Sequence, residues 1–289
     1  MEIRTPFQIC FSDIRIGLDP TSAPIELSQE LSCLLSNETG PADAEYEIKL
    51  LEQPLKEDAP VFHKYCGITV YQTPEGWLRV YPLRRAENGC QVACLLRPDG
   101  KNTLYYPAAH WGQYAKPLHC AHLLGLETVL LKRNAFLLHS SVVQLEGKAV
   151  LFSGASGVGK STQAQLWQTH LGAQILNGDR CVVMQRANGF YGGGSPLAGS
   201  SRIYRPEQAP IAAIFLLEQS SHNQVQPLGL SALAPLLGQT LINSWDTEFM
   251  SKLTTLYQQL LAEVPIYRLR CRPDADAVEL AYRTAFPNV

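Results

Sequence analysis

Up to about residue 112 apolar residues recur at every second position. Phe7, Ile9 and Phe11 alternate with polar neighbours, as do Tyr46, Ile48 and Leu50, the period of strands with one buried face. Thr73-Pro74-Glu75-Gly76 separates Gly67–Tyr71 from Trp77–Tyr81, and Pro98-Asp99-Gly100 separates Gln91–Leu96 from Thr103–Tyr106. Both read as hairpins. Ile25–Leu35 is expected to be a short helix, and Pro41, Pro54 and Pro60 punctuate the region. From there the pattern becomes mixed. Pro117–Lys132 carries a broad helical apolar face. Ala135–Gln144 and Ala149–Phe152 flank the turn Glu146-Gly147-Lys148 as a hairpin. Further strands are expected at Ala173–Leu176, Cys181–Arg186, Gly189–Tyr191, Ala212–Leu217 and Ile266–Arg270. The 212–217 run does not alternate, as in a central strand. Helices are expected at Ser231–Ile242, Thr247–Ala262 and Asp274–Ala285, the last opened by Pro273. Gly192–Ser201 holds too many glycines for regular structure. The pattern divides the chain into a β-rich domain, 1–112, and an α/β domain, 113–289.

Ala149–Phe152 is followed by Gly154-Ala155-Ser156-Gly157-Val158-Gly159-Lys160-Ser161-Thr162, which fits G-x-x-x-x-G-K-[ST], the phosphate-binding loop. Thr162–Leu171 then shows helical spacing in Ala164, Leu166, Trp167 and Leu171. Strand, glycine-rich turn and helix occur in the order the mechanism requires. Loop amides form a nest for phosphates, and the helix adds the positive end of its dipole. Lys160 is expected on the β- and γ-phosphates of ATP and Ser161 on Mg²⁺.

The totals narrow the setting. A chain of 289 residues, 46% hydrophobic and 17% charged, has a globular composition. Its formal net charge of −2 argues against a nucleic-acid partner. No apolar run reaches the length of a membrane span, and Met1–Pro6 lacks the pattern of a signal peptide. We therefore expect a soluble, cytoplasmic protein with reduced cysteines. The eight cysteines, Cys10, Cys33, Cys66, Cys90, Cys94, Cys120, Cys181 and Cys271, form no C-x-x-C pair.

Phosphoryl transfer needs a second acid, to hold Mg²⁺ or to accept a proton. Asp179 follows the strand after the loop helix, at the strand end where α/β sites lie. Arg180 beside it either answers phosphate charge or pairs with Asp179. His139 shares a pleat face with Leu137, Ser141 and Val143, a place where a histidine is more often a packed core residue. Glu218 ends the 214–217 strand and reads as an ordinary strand-end acid. His119, Cys120 and His122 have ligand-like spacing but no partner pair, so helix packing is expected of them. Trp167 and Trp245 are expected in helix cores.

Leu138–Val143, Gly154–Ser161 and Asn177-Gly178-Asp179-Arg180 together resemble the catalytic domain of bacterial HPr serine kinases. That family shares its nucleotide-binding core with ATP-dependent phosphoenolpyruvate carboxykinases. The similarity covers roughly residues 115–289 and is greatest to divergent HPr-kinase-like proteins, some of which serve peptide-modification gene clusters. It implies a mixed-sheet P-loop kinase core of the α/β class. Lys160 and Ser161 would hold phosphates and Mg²⁺, His139 would lie near the γ-phosphate, and Asp179 would serve as the metal-binding or proton-accepting acid. Three features depart from the family. Gly178 stands where the first of two acids is usual, the Leu-Glu-Ile-Arg-Gly signature is absent, and Ser200 replaces the lysine of a later loop. Arg202 or Arg205 could supply that lysine's charge.

The expected function is an ATP- and Mg²⁺-dependent kinase transferring the γ-phosphate to a hydroxyl, Ser in a protein or peptide. The alternative is a nucleotide-binding accessory or regulatory protein of a peptide-modification pathway, without transfer activity. Residues 1–112 would then serve substrate recognition or assembly. The sequence leaves homo-oligomerisation open.

Overall fold

The computed structural model describes residues 2–26, 30–36, 40–53, 55, 59–65, 67–82, 91–114 and 123–287. The chain separates into two compact units, Met1–Val129 and Leu130–Val289. The division falls inside a helix, Leu126–Lys132, and not at residue 112. Of the expected helix Pro117–Lys132, Leu126–Lys132 is helical and residues 123–125 are not, while residues 115–122 lie outside the described part of the chain. So do His119, Cys120, His122, Cys66 and Cys90.

The first unit holds β1 (Glu2–Ile3), β2 (Phe7–Phe11), β3 (Ile14–Asp19), β4 (Ile25–Glu26), β5 (Ala44–Leu51), β6 (Val61–Tyr65), β7 (Ile68–Thr73), β8 (Gly76–Pro82), β9 (Gln91–Leu96) and β10 (Lys101–Pro107). Eight of them form one sheet in the order β2-β3-β5-β10-β9-β8-β7-β6. Both expected hairpins are present, β7–β8 and β9–β10. The segment expected as a helix at Ile25–Leu35 is instead β4 followed by a 3₁₀ turn, Glu30–Leu34. A buried ion pair links Arg79 to Glu127 within this unit.

The second unit holds β11 (Ala135–Leu145), β12 (Lys148–Ser153), β13 (Gln174–Asn177), β14 (Arg180–Arg186), β15 (Gly189–Gly193), β16 (Gln208–Gln219), β17 (Gln224–Pro227) and β18 (Ile266–Cys271). It is a mixed α/β structure. The long strands β11 and β16 each pair with different neighbours along their length. The first half of β11 pairs with β14, and its second half with β12 and β13. The start of β16 pairs with β15, while its later part runs parallel to β12 and β18.

Burial on both faces explains why these strands do not alternate. Leu151 of β12 and Ile214 of β16 face one core, with Leu253, Leu256 and Tyr257 of the helix Thr247–Glu263. Val150, Phe152 and Phe215 face the other, with Trp167 of the loop helix Lys160–Leu171 and Val278 of the helix Ala275–Ala285. Two of these helices begin on aspartates. Asp246 accepts from the Phe249 N–H at 2.9 Å and Asp274 from the Ala277 N–H at 3.0 Å, each satisfying one first-turn donor.

The expected helix Ser231–Ile242 is much shorter. A 3₁₀ turn, Gly229–Ala232, leads into Leu233–Leu237, which ends at Gly238. Residues 239–241 instead lie along β11: the Leu241 N–H donates to the Leu137 carbonyl, and Leu138 bridges Thr240. Trp245 sits half-buried in a turn rather than in a helix core, whereas Trp167 is fully buried. Among the described residues no helix is long and apolar enough to cross a membrane, and the described cysteines are free thiols.

Candidate phosphate-loop site

Ser153 ends β12, and the chain turns through residues 154–159 into the loop helix. Gly154 has φ +142°, and a Cβ there would lie 3.2 Å from both the Leu217 carbonyl oxygen and Val158 Cγ1. Only glycine suits both the angle and the space. Gly159 caps the helix in a left-handed conformation, with no side chain capping the first turn. The first-turn amides of that helix lack intrahelical acceptors and are available to an anion. Ala155, Ser156, Gly157, Ser161 and Thr162 are exposed, while Val158 and Gly159 are half-buried.

Lys160 is only 7% exposed. Its Nζ donates to the carbonyls of Gly154 and Ala155, both at 3.0 Å, so the side chain bends back along the turn. Burial lowers its pKa below the ordinary lysine value; the Asp179 charge opposes that shift and the Arg180 charge adds to it. The electrostatic reach of Asp179 to Lys160 runs both ways, since Lys160 in turn lowers the Asp179 pKa.

Asp179 follows β13. His139 Nε2, from β11, lies 3.3 Å from Asp179 Oδ1. This hydrogen bond is the main reason that the carboxyl pKa falls below its ordinary value; burial opposes it, and the charges of His139, Arg180 and Lys160 add to it. The backbone of His139 is held at both ends. Its N–H donates to the Gln239 carbonyl at 2.7 Å, and its carbonyl accepts from Ser153 Oγ at 2.9 Å. Ser141, one pleat further, donates to the Lys160 carbonyl at 2.8 Å. The β11 strand therefore carries His139 and anchors the start of the loop helix. Ser161 Oγ donates to the Gly178 carbonyl at 3.3 Å, joining the helix to the acid-bearing turn.

Further residues position this turn. Asn177 is fully buried; its Oδ1 accepts from the Asp179 N–H at 2.9 Å and the Arg180 N–H at 3.0 Å, fixing the turn. Its Nδ2 donates to the Ser195 carbonyl at 3.1 Å. Ser195 Oγ in turn donates to the Arg180 carbonyl at 2.5 Å. The glycine-rich stretch is thus only partly a loop. β15 runs through Gly193, and the rest wraps the turn and ends in a 3₁₀ segment, Gly199–Ser201.

That segment occupies the space beside the acid. A Cβ on Gly178 would lie 2.5 Å from Ser201 Cβ and Oγ, and one on Gly199 would lie 2.8 Å from Asp179 Cγ. A second acid at position 178 has no room while Ser201 is present. Arg180 makes no ion pair with Asp179, although its charge lowers the Asp179 pKa. Arg202 adopts φ +51° next to this segment.

The donor set suits a magnesium nucleotide. The uncapped helix start and the Lys160 ammonium fit a polyphosphate. Ser161 and Asp179 could supply the one or two oxygen ligands that Mg²⁺ takes from protein when phosphates and water supply the rest. Among the described residues no group of three His, Cys, Asp or Glu side chains could hold a metal by itself.

Comparisons with known proteins bear on this unit. The family model of SynChlorMet cassette protein ScmC matches residues 121–274. No curated protein matches. Among solved structures, the Hpr(Ser) kinase/phosphatase from Coxiella burnetii aligns at 14% identity and a TM-score of 0.29, covering 53% of this chain and 94% of that one.

Proposed function

The chain belongs to the family of SynChlorMet cassette protein ScmC, and from that premise we propose that it is an ATP- and Mg²⁺-dependent kinase acting on a hydroxyl, Ser in a peptide or protein. The observation that carries the reading is the juxtaposition of Asp179, held by His139 at 3.3 Å, with the loop helix, whose Ser161 Oγ reaches the adjoining Gly178 carbonyl at 3.3 Å. The resemblance to HPr serine kinases and the cassette setting of the family support a peptide or small protein as the acceptor.

In this reading Lys160 and the loop amides hold the phosphates and offset their charge. Ser161 and Asp179 would hold Mg²⁺, which would screen the charge on the transferred group. The acceptor oxygen forms a bond to the γ-phosphorus as the bond to the β–γ bridging oxygen breaks, leaving ADP. Asp179 takes the hydroxyl proton. His139 keeps that carboxylate ionised and oriented, so that it accepts a proton without first having to lose one.

A second reading is favoured by one observation. Ser201 fills the space of the absent first acid at Gly178, which suits a nucleotide-binding accessory protein without transfer activity. Transfer from γ-labelled ATP to serine peptides encoded beside the gene separates the two. The kinase reading expects label in the peptide, lost in Lys160→Ala and in Asp179→Ala. Transfer that survives either substitution removes the assignment. An ATP·Mg-dependent rise in Tm with no labelled product leaves the accessory reading.

A further inference from the structure

The phosphate loop has two flanks. On one, β11 and β13 bring His139 and Asp179 to it. On the other, β16 and β18 run parallel to β12, and their carboxyl ends carry Glu218, Arg268 and Arg270. The paired register sets Leu216 beside Arg268 and Glu218 beside Arg270, so these side chains share one face. That face is the one Leu216 presents to the core beneath the helices. A cavity of about 240 Å³ opens here, bounded by Gly154, Ala155, Glu218, Pro235, Gln239 and Arg268. Two of its walls belong to the loop itself. A third, Gln239, accepts the His139 N–H at 2.7 Å, so the cavity is tied to the acid-bearing side.

The charges are unequal. A single carboxylate, Glu218, faces two guanidinium groups, with Arg268 Nε at 3.7 Å and Arg270 Nε at 3.2 Å. The Arg268 contact is longer than a hydrogen bond, and the buried Arg270 Nε makes no hydrogen bond despite its approach. The cluster carries an excess positive charge, and Arg268 forms part of the cavity wall. Planar guanidinium groups bind carboxylates through paired N–H donors. The volume lies below the roughly 300–1,000 Å³ of sites for drug-sized ligands. It corresponds to about eight water molecules at ~30 Å³ each, room for a side chain rather than a nucleotide.

We propose that this cavity receives a carboxylate-bearing side chain of the acceptor, Asp or Glu, held by Arg268 beside the phosphate loop. The acceptor is then an acidic peptide whose acid stands at a fixed offset from its serine. This inference rests on the kinase reading above and names its substrate class.

The test uses the full-length protein and an array of serine-centred peptides, degenerate except for one fixed residue at each offset. Binding is read without nucleotide and phosphate incorporation with ATP·Mg, while the ATP·Mg-dependent rise in Tm is followed in parallel. The expected result is at least tenfold preference for Asp or Glu over Asn or Gln at one offset. Arg268→Gln flattens that preference, Arg268→Glu shifts it to Lys or Arg at the same offset, and both variants keep the ATP·Mg shift. Absence of acidic preference in the wild type, or an unchanged preference in Arg268→Gln, overturns the inference. Loss of the ATP·Mg shift in Arg268→Gln overturns it too, by assigning the cavity to the nucleotide. Failure of the kinase reading looks different: no incorporation in the wild type, with or without the ATP·Mg shift, whatever the peptide-binding preference.

Discussion

His139 Nε2 lies 3.3 Å from Asp179 Oδ1, although forty residues separate the two in the chain. The contact exists because β11 pairs with both β13 and β14, the strands on either side of the Asp179 turn. Its consequence is a carboxyl pKa below the ordinary value of 3.8. A lowered folded-state pKa means that Asp179 contributes stability above its unfolded value and loses it as pH falls through the folded one. Substituting His139→Ala should move the Asp179 titration upward, read from its carboxyl ¹³C shift. An Asp179 already titrating at or above 3.8 in the wild type would contradict the account.

Ser201 and Gly178 make a second test. A Cβ at 178 would stand 2.5 Å from Ser201 Cβ and Oγ, so Gly178→Asp should destabilise by roughly 1–3 kcal/mol, as overpacking does. Adding Ser201→Gly should recover most of that loss. Equal Tm values for the single and double variants would show that the turn yields freely. If the double variant gains transfer activity that the wild type lacks, the missing acid is what separates this chain from an active kinase.

Gly199 abuts the acid itself. Its φ is +53°, and an added Cβ would lie 2.8–3.0 Å from Asp179 atoms. Gly199→Ala should therefore displace the carboxylate while leaving the loop intact. Misplacement of a reacting group by about 1 Å costs on the order of 10²-fold in rate. Single-turnover transfer should fall on that scale with ATP affinity nearly unchanged. A proportional loss of ATP affinity would point instead to general disruption.

The first unit offers a stability prediction. Arg79 and Glu127 pair with side chains 5% and 6% exposed. Burial opposes the Arg79 charge, and the Glu127 carboxylate, together with Tyr81 and Cys94, more than offsets that, raising the guanidinium pKa. Glu127→Gln leaves the cation without its counter-charge and should cost about 3–5 kcal/mol. The double variant Arg79→Met, Glu127→Leu should cost clearly less. Denaturant unfolding showing equal losses would contradict this.

The local patterns that the sequence displays are those set by near neighbours. Strand alternation at Phe7–Phe11, the hairpin turns and the strand–loop–helix around Lys160 all depend on a few consecutive residues. β3 alternates just as clearly in Ile14, Ile16 and Leu18. The helix expected at 231–242 stops at Gly238, and its tail lies along β11 instead. A glycine-rich run looked irregular, but β15 uses Gly192 to lie close to β12: a Cβ there would meet Leu151 Cδ1 at 2.8 Å. Asp179 and His139 could be nominated by position and resemblance, whereas their contact and the Glu218–Arg268–Arg270 group come from strand pairing between distant segments. Tertiary pairing leaves no periodic trace.

The most direct measurement of the central claim follows the ¹³C carboxyl signal of Asp179 while Mn²⁺·ATP replaces Mg²⁺·ATP. The account predicts paramagnetic broadening of Asp179 that requires ATP and disappears in Lys160→Ala, while the carboxyl of Glu146, at the opposite end of β12 from the loop, stays sharp. An Asp179 signal that remains sharp at saturating Mn²⁺·ATP, or that broadens equally in Lys160→Ala, would contradict a nucleotide held on this loop with that carboxylate facing it.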